Sequence, residues 1–338
     1  MAAALSDEVR QKLIDKKRAT VAEMKPFSAE ERWKVWAYCR SPDLFAPDPA
    51  TDINFNDTVF ASPVSFDNFF FPKTTNFSQS EFQKNTCFNL TTFRDHADFQ
   101  HVKFHGRSDF RSATFQFETH FPFAKFLQSI NFHQATFQGN ASFANTEFSG
   151  QVAFNEAAFL DFVIFSHAKF HELANYQGAT FNKLARFDQV MFQNDANFRN
   201  TNFLEFAKFE STSFRKTADF TRAIFQSIAI FKSSTFDELA TFYHCKFQWH
   251  VNFREVTFGE NVDLRGAANQ EDIKRITGTV RFDDVTFSKT VDFTNREFLN
   301  TTSFNDTLFH THAPVFANTR LHEGTTWHGV QWPGTPDD

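Results

Sequence analysis

The stretch Gln134–Phe148 reads QATFQGNASFANTEF, with phenylalanine at Phe137, Phe143 and Phe148. The spacing is six residues, then five. The same beat extends in both directions. It opens at Phe55, Phe60, Phe66, Phe71 and Phe77, and it is still in step at Phe236, Phe242, Phe247, Phe253 and Phe258. Between Phe55 and Leu264 lie 39 beat positions, and all but Tyr176 and Leu264 are Phe. The beat resumes at Phe282, Phe287, Phe293, Phe298, Phe304 and Phe309. A fixed short period is the mark of a repeat architecture, in which each unit buries its apolar face against the next.

A second signal fixes the register. Two residues before each Phe stands a small or β-branched residue, as in Ala97 before Phe99, Ala141 before Phe143, Ala196 before Phe198 and Val251 before Phe253. The remaining positions are mostly polar. The Phe and the residue two before it therefore point inward and the others outward, the alternation of extended chain. A helix fails on two counts. An eleven-residue helical repeat would set Phe on opposed faces, and the β-branched and Asn content suits a helix interior poorly.

This A-x-F-x-x-A-x-F pattern, seen also in QNDANFRNTNF (Gln193–Phe203), resembles the pentapeptide-repeat proteins over roughly residues 53 to 332. The resemblance implies an all-β fold, a right-handed quadrilateral β-helix. Two departures stand out: the central residue is Phe rather than Leu, and every second repeat has six residues. Four sides then need 22 residues per coil, with the two longer corners opposite each other. At the strand spacing of ~4.8 Å, nine or so coils before residue 264 and two or three after it make a rod of roughly 55 Å. Each buried Phe contributes ~1.5–3 kcal/mol by transfer, and ring stacking adds roughly 0.5–1.5 kcal/mol per pair. Tyr176 brings a hydroxyl into the ladder, where it needs a partner or an outward tilt.

Composition narrows the rest. A net charge of −6 and a pI of about 6.1 argue against direct nucleic-acid binding. No apolar run of 18 residues suggests a membrane span, and the N-terminus lacks the pattern of a secretory signal. Cys39, Cys87 and Cys245 are scattered and odd in number, which fits a reduced, cytoplasmic setting.

Four segments follow. Residues 1–50 leave the beat. Leu5, Val9, Leu13, Ile14, Val21 and Met24 fall on a helical stripe, and Ser28 to Glu31 reads as a capping box before Trp33, Val35, Trp36 and Tyr38. The expectation is an α-helical N-terminal cap or a docking segment. Residues 51–264 form the solenoid. Residues 265–281 break the ladder with an apparent excess of 13 residues and should loop out, with a helical turn or two between Glu271 and Ile276 and a stop at Gly278. Residues 282–338 hold the last coils and a cap, where Leu321, Trp327 and Trp332 continue the beat and Pro333 ends strand addition.

Chemistry is sparse. His310, His312, His322 and His328 gather near the end beside Glu323, and they read as surface histidines of a polar cap rather than as metal ligands. No phosphate loop, nucleophile motif or zinc motif occurs. We expect no enzyme, no catalytic residue, no metal and no cofactor. The outward columns say more. Stacking at 22 residues aligns Asn140, Phe162, Leu184, Phe206 and Ile228 at one six-residue corner, flanked by Leu160, Ile164, Leu204 and Ile230. The opposite long corner (Arg107, Ser129, Gln151, Leu173, Asp195, Thr217) is mostly polar. Contiguous exposed apolar surface marks a contact site. Its occupant could be a second copy, giving a homodimer, or the N-terminal helix folding back, and the stripe could instead turn inward and pack within its own coil.

The function expected is a non-enzymatic scaffold or protein-interaction module. The resemblance implies an alternative: some members mimic duplex DNA and bind type II topoisomerases such as DNA gyrase, which calls for a continuous acidic face. Here one outward column runs Glu81, Lys103, Lys125, Glu147, Lys169, with mixed signs.

Overall fold

The structure is a computed structural model, and it describes residues 53–334. The expected N-terminal helical cap lies outside the described residues, as do residues 335–338. The described chain is a parallel β-solenoid of about twelve coils with four faces. Face 1 stacks twelve two-residue strands from Ile53–Asn54 to Thr302–Ser303. Face 2 stacks twelve from Val59–Phe60 to Leu308–Phe309, and face 3 eleven from Val64–Ser65 to Val291–Asp292. Face 4 stacks nine from Phe70–Phe71 to Lys246–Phe247, then a separate pair, Arg275–Ile276 and Glu297–Phe298.

The register is 22 residues, as the beat demands: Ile53 pairs with Thr75, and Thr75 with Ala97. Only two residues per side lie in a strand, so the core comes from rings rather than from long ladders. Along the regular coils each inward Phe stacks on the ring one coil away. Phe60 and Phe82 lie 4.4 Å apart at 2°, and Phe159 and Phe181 lie 5.0 Å apart at 0°. Rings of faces 1 and 3 meet edge to face across the axis, as Phe77 and Phe88 do at 84°. Offset stacks and T-shaped pairs are the two arrangements that the ring quadrupole favours.

The two kinds of corner differ in backbone. At each five-residue corner the second turn residue is left-handed. Twenty-two non-glycine residues adopt this conformation among the described residues, including Leu90, His101 and Phe123. An Asn or Asp one residue before the Phe helps to hold the turn. Asn131 Oδ1 accepts from His133 N–H at 2.8 Å, and Asp98 Oδ1 from Gln100 N–H at 2.8 Å, the Asx-turn pattern. Several buried hydroxyls are satisfied inside the rod: Ser80 Oγ donates to Phe55 O at 2.7 Å, and Thr146 Oγ1 to Phe121 O at 2.7 Å. The Ser108, Ser166 and Tyr176 hydroxyls have no such partner among the described residues, and Tyr176 lies deepest in the ring ladder. It is fully buried, stacked on Phe154 and Phe198, with no hydrogen-bond partner for its hydroxyl among the described residues. It neither tilts outward nor finds an acceptor, and burial drives its pKa well above the ordinary value.

The break in the ladder is smaller than the sequence suggested. Val251 pairs with Val280, and Thr257 with Thr286, so the register widens from 22 to 29 residues, an excess of seven. The reading of residues 265–281 as one looped-out piece is corrected accordingly. Leu264 keeps its inward place, Ile276 takes the place of a Phe, and Val280–Arg281 is already back in face 1. The extra length is the segment around a single helical turn, α1 (Glu271–Lys274).

That segment opens face 4, because Lys246–Phe247 and Arg275–Ile276 belong to different sheets. Arg296 fills the gap. It occupies the inward position two residues before Phe298 and is fully buried. Its guanidinium donates to the carbonyl oxygens of Leu264, Ile273, Cys245 and Phe242. At the C-terminal end the register is 23 residues, and the last coil reads Phe316, Leu321, Trp327, Trp332. Trp327 stacks on Phe304 at 4.3 Å and Trp332 on Phe309 at 5.3 Å.

Candidate interaction edge

The six-residue corner between faces 4 and 1 carries the sequence-predicted stripe. Its vertical order is fixed by backbone hydrogen bonds. Ala141 N–H donates to Phe162 O, Val163 N–H to Leu184 O, Ala185 N–H to Phe206 O and Ala207 N–H to Ile228 O, at 2.9 to 3.1 Å. Phe162, Leu184, Phe206 and Ile228 therefore stand one above another, one coil apart. The side chains alternate in projection: Phe162 and Phe206 are each 48% exposed, while Leu184 and Ile228 are partly buried. Leu160 is also exposed, and Ile164, Leu204 and Ile230 are partly buried beside the column. Leu160, Phe162 and Phe206 thus project from the corner, while the other five are partly packed into it.

The edge is longer than sequence reasoning found. Phe117 and Trp249, at 50% and 52% exposure, lie on the same corner, in the column one residue before the Phe162 column. Both are large aromatics off the beat, and that was the available signal. That column runs Phe117, Gly139, Asp161, Lys183, Glu205, Ser227, Trp249, Gly278. Its two glycines have a local cause. A Cβ on Gly139 would meet the Phe117 carbonyl carbon at 2.6 Å, and one on Gly278 the Trp249 carbonyl carbon at 2.3 Å. In the middle, Lys183 Nζ donates to Glu205 Oε1 at 2.7 Å. Glu205 raises the Lys183 pKa, but both groups are solvated, so the pair is a marker of charge order more than a source of stability.

Elsewhere the surface is a mixed-charge lattice. Ion pairs climb the rod from coil to coil, as in Lys216–Glu238, Arg215–Asp237 and Lys125–Glu147. His171 reaches the same Glu147 at 3.2 Å. No group of three or more His, Cys, Asp or Glu side chains among the described residues could hold a metal ion. His312 Nδ1 contacts Thr311 Oγ1, and His322 Nδ1 accepts from Gly324 N–H. No described helix is long and apolar enough to cross a membrane.

The family model for pentapeptide repeats, spanning nine copies, matches residues 143–190 and 220–268. No curated protein and no solved structure matches the chain. The matched segments lie within the twelve-coil rod, and the same inward Phe and 22-residue register run on through the coils between and around them. Over the matched segments the chain carries pentapeptide repeats, here in a Phe-centred form with alternating five- and six-residue spacing.

Proposed function

We propose that this protein is a non-enzymatic interaction module: a stiff rod that presents one apolar edge to a protein partner. One observation carries the reading. Of the large hydrophobic side chains exposed on the described surface, Phe117, Leu160, Phe162, Phe206, Trp249 and Leu299 share a single corner. A solvated rod gains nothing from such a concentration, whereas a docking edge needs it. The charge pattern supports this reading over a duplex-DNA mimic. Residues 53–334 carry 25 Lys and Arg against 29 Asp and Glu, and neighbouring coils pair opposite signs rather than building an acidic face.

The test compares Phe162→Glu/Phe206→Glu with Gln151→Glu on the opposite long corner. Partner capture by the full chain should fall with the first variant and persist with the second, while both keep the wild-type melting temperature. Equal capture by all three would remove the edge from consideration. Inhibition of DNA gyrase supercoiling at low micromolar protein would instead favour the topoisomerase reading.

A further inference from the structure

The order of residues along the edge is self-complementary. Consider a two-fold axis that crosses the edge between the coils of Leu184 and Phe206, perpendicular to the rod. A second copy brought over by that axis runs antiparallel, and each residue faces the one equally far on the other side of the axis. In the Phe162 column, projecting Phe206 meets the second copy's recessed Leu184, and projecting Phe162 meets the second copy's recessed Ile228. In the neighbouring column, Lys183 meets the second copy's Glu205. Further out, Trp249 meets the second copy's Gly139, and Phe117 meets the second copy's Gly278. On the other flank Ile164 meets the second copy's Ile230. The vertical positions are set by the hydrogen-bonded register of the corner, which runs unbroken from Ala97 N–H to Glu118 O up to Val251 N–H to Thr279 O. The strip spans seven coil steps, roughly 34 Å at the strand spacing.

We infer that this edge is the isologous interface of an antiparallel homodimer, with its axis midway between Leu184 and Phe206. The inference rests on the edge being a contact surface and names its occupant. Three independent features agree in this one register: rings face recessed aliphatics, the outer aromatics face glycines, and the central cation faces an anion. A neighbouring register breaks the pattern. An axis through Leu184 itself would set Phe162 against Phe206, and Lys183 against its own counterpart, a like-charge contact. A closed two-fold interface must be self-complementary, and opposed charges at its centre fix register while like charges exclude the alternatives.

Sedimentation equilibrium of the full chain should show a dimer. Phe206→Glu should weaken it about 100-fold or more, as loss of a central anchor does, and Gln151→Glu should leave it unchanged. Lys183→Glu should weaken it, and Glu205→Lys added to the same chain should restore it. Geometry is tested by cross-linking Asn140→Cys and His250→Cys chains in which Cys39 and Cys87 are Ser. The axis places Asn140 opposite the second copy's His250, but two copies of Asn140 five coil steps, about 24 Å, apart. A disulfide dimer should therefore form in the mixture and in neither variant alone. Cross-linking within a single variant overturns the antiparallel register. A monomer at about 100 μM chain, far above the dissociation constant of a specific interface, overturns the dimer. Such a monomer that still loses partner capture with Phe162→Glu/Phe206→Glu leaves the interaction reading standing; one that does not removes both.

Discussion

Arg296 Nη1 donates to the carbonyl oxygen of Cys245 at 2.9 Å, across 51 residues of sequence. In a regular coil such a carbonyl accepts a backbone N–H from the next coil. Here that donor is diverted, because the Arg275 N–H bonds Glu271 O at the end of α1. The guanidinium replaces the missing ladder bond and also reaches Leu264, Ile273 and Phe242. Burial lowers its pKa to about 10, against a smaller opposing pull from Asp263. It stays charged at neutral pH because several carbonyl dipoles substitute for water.

Removing this group should be costly. Arg296→Ala leaves four carbonyls without that donor and opens a void beside a small cavity of about 10 Å³ lined by Phe247, Ile276 and Phe298. A buried unsatisfied acceptor costs about 1–3 kcal/mol, so a loss of at least ~3 kcal/mol is expected in urea unfolding. The folded pKa lies below the unfolded one, so this group adds stability only as pH rises through that interval. Below about pH 10 both states bind the proton and its contribution is flat. Arg296→Ala should therefore shift the unfolding midpoint by the same amount at pH 6 and pH 9.

Tyr176→Phe should stabilise the rod. The ring already stacks within 5.1 Å of Phe154 and 4.8 Å of Phe198, so the substitution keeps the packing. It removes a hydroxyl buried without a partner, whose desolvation costs about 1–3 kcal/mol. Urea unfolding should show a gain of roughly 1 kcal/mol or more. A loss would mean that the hydroxyl finds an acceptor.

The beat made the core legible because every Phe that keeps it points to the axis, and the 22-residue coil followed from counting. The left-handed corners were not legible. Residues such as Leu90, His101 and Phe123 adopt a conformation in which Gly or Asn would be expected, because the closed coil, not local preference, dictates the backbone there. The break was overestimated because Ile276 stands in a Phe position and looks like loop sequence. Arg296 broke the rule of small or β-branched residues two before the ring, which was a readable signal of a non-standard coil. On the candidate edge the 22-residue count placed Phe162, Leu184, Phe206 and Ile228 in one column, and the corner hydrogen bonds stack them in that order. Phe117 and Trp249 were missed because they sit one column away.

Glu297 should give the upper coils an acid-sensitive limb. It is 6% exposed, bonded to Arg275 at 3.1 Å and to Arg320 at 3.2 Å. The hydrogen bond from Arg275 lowers its pKa despite desolvation. A carboxyl with a depressed folded pKa contributes stability above its unfolded pKa, and that contribution is lost as pH falls through the folded value. Glu297→Gln should therefore unfold more readily than wild type at pH 7, with the difference shrinking towards pH 3. A constant difference across that range would show that shape, not charge, is what Glu297 supplies.

Trp327 tests whether the last coil protects the rest. In a solenoid each coil touches only its neighbours, so the end coil sets how readily the stack frays. The Trp327 ring lies over Phe304 at 4.3 Å and edge-on to Phe316 at 6.1 Å. Trp327→Ala uncovers Phe304, and removing a packed indole costs about 3–5 kcal/mol at a buried site, less at this partly exposed one. Because the loss is local, amide exchange should accelerate first in the coils of Phe282 to Phe309 and leave those of Phe137 to Phe181 at wild-type rates. Uniform acceleration along the rod would mean that the twelve coils unfold as one unit and that the C-terminal tryptophans are not a cap.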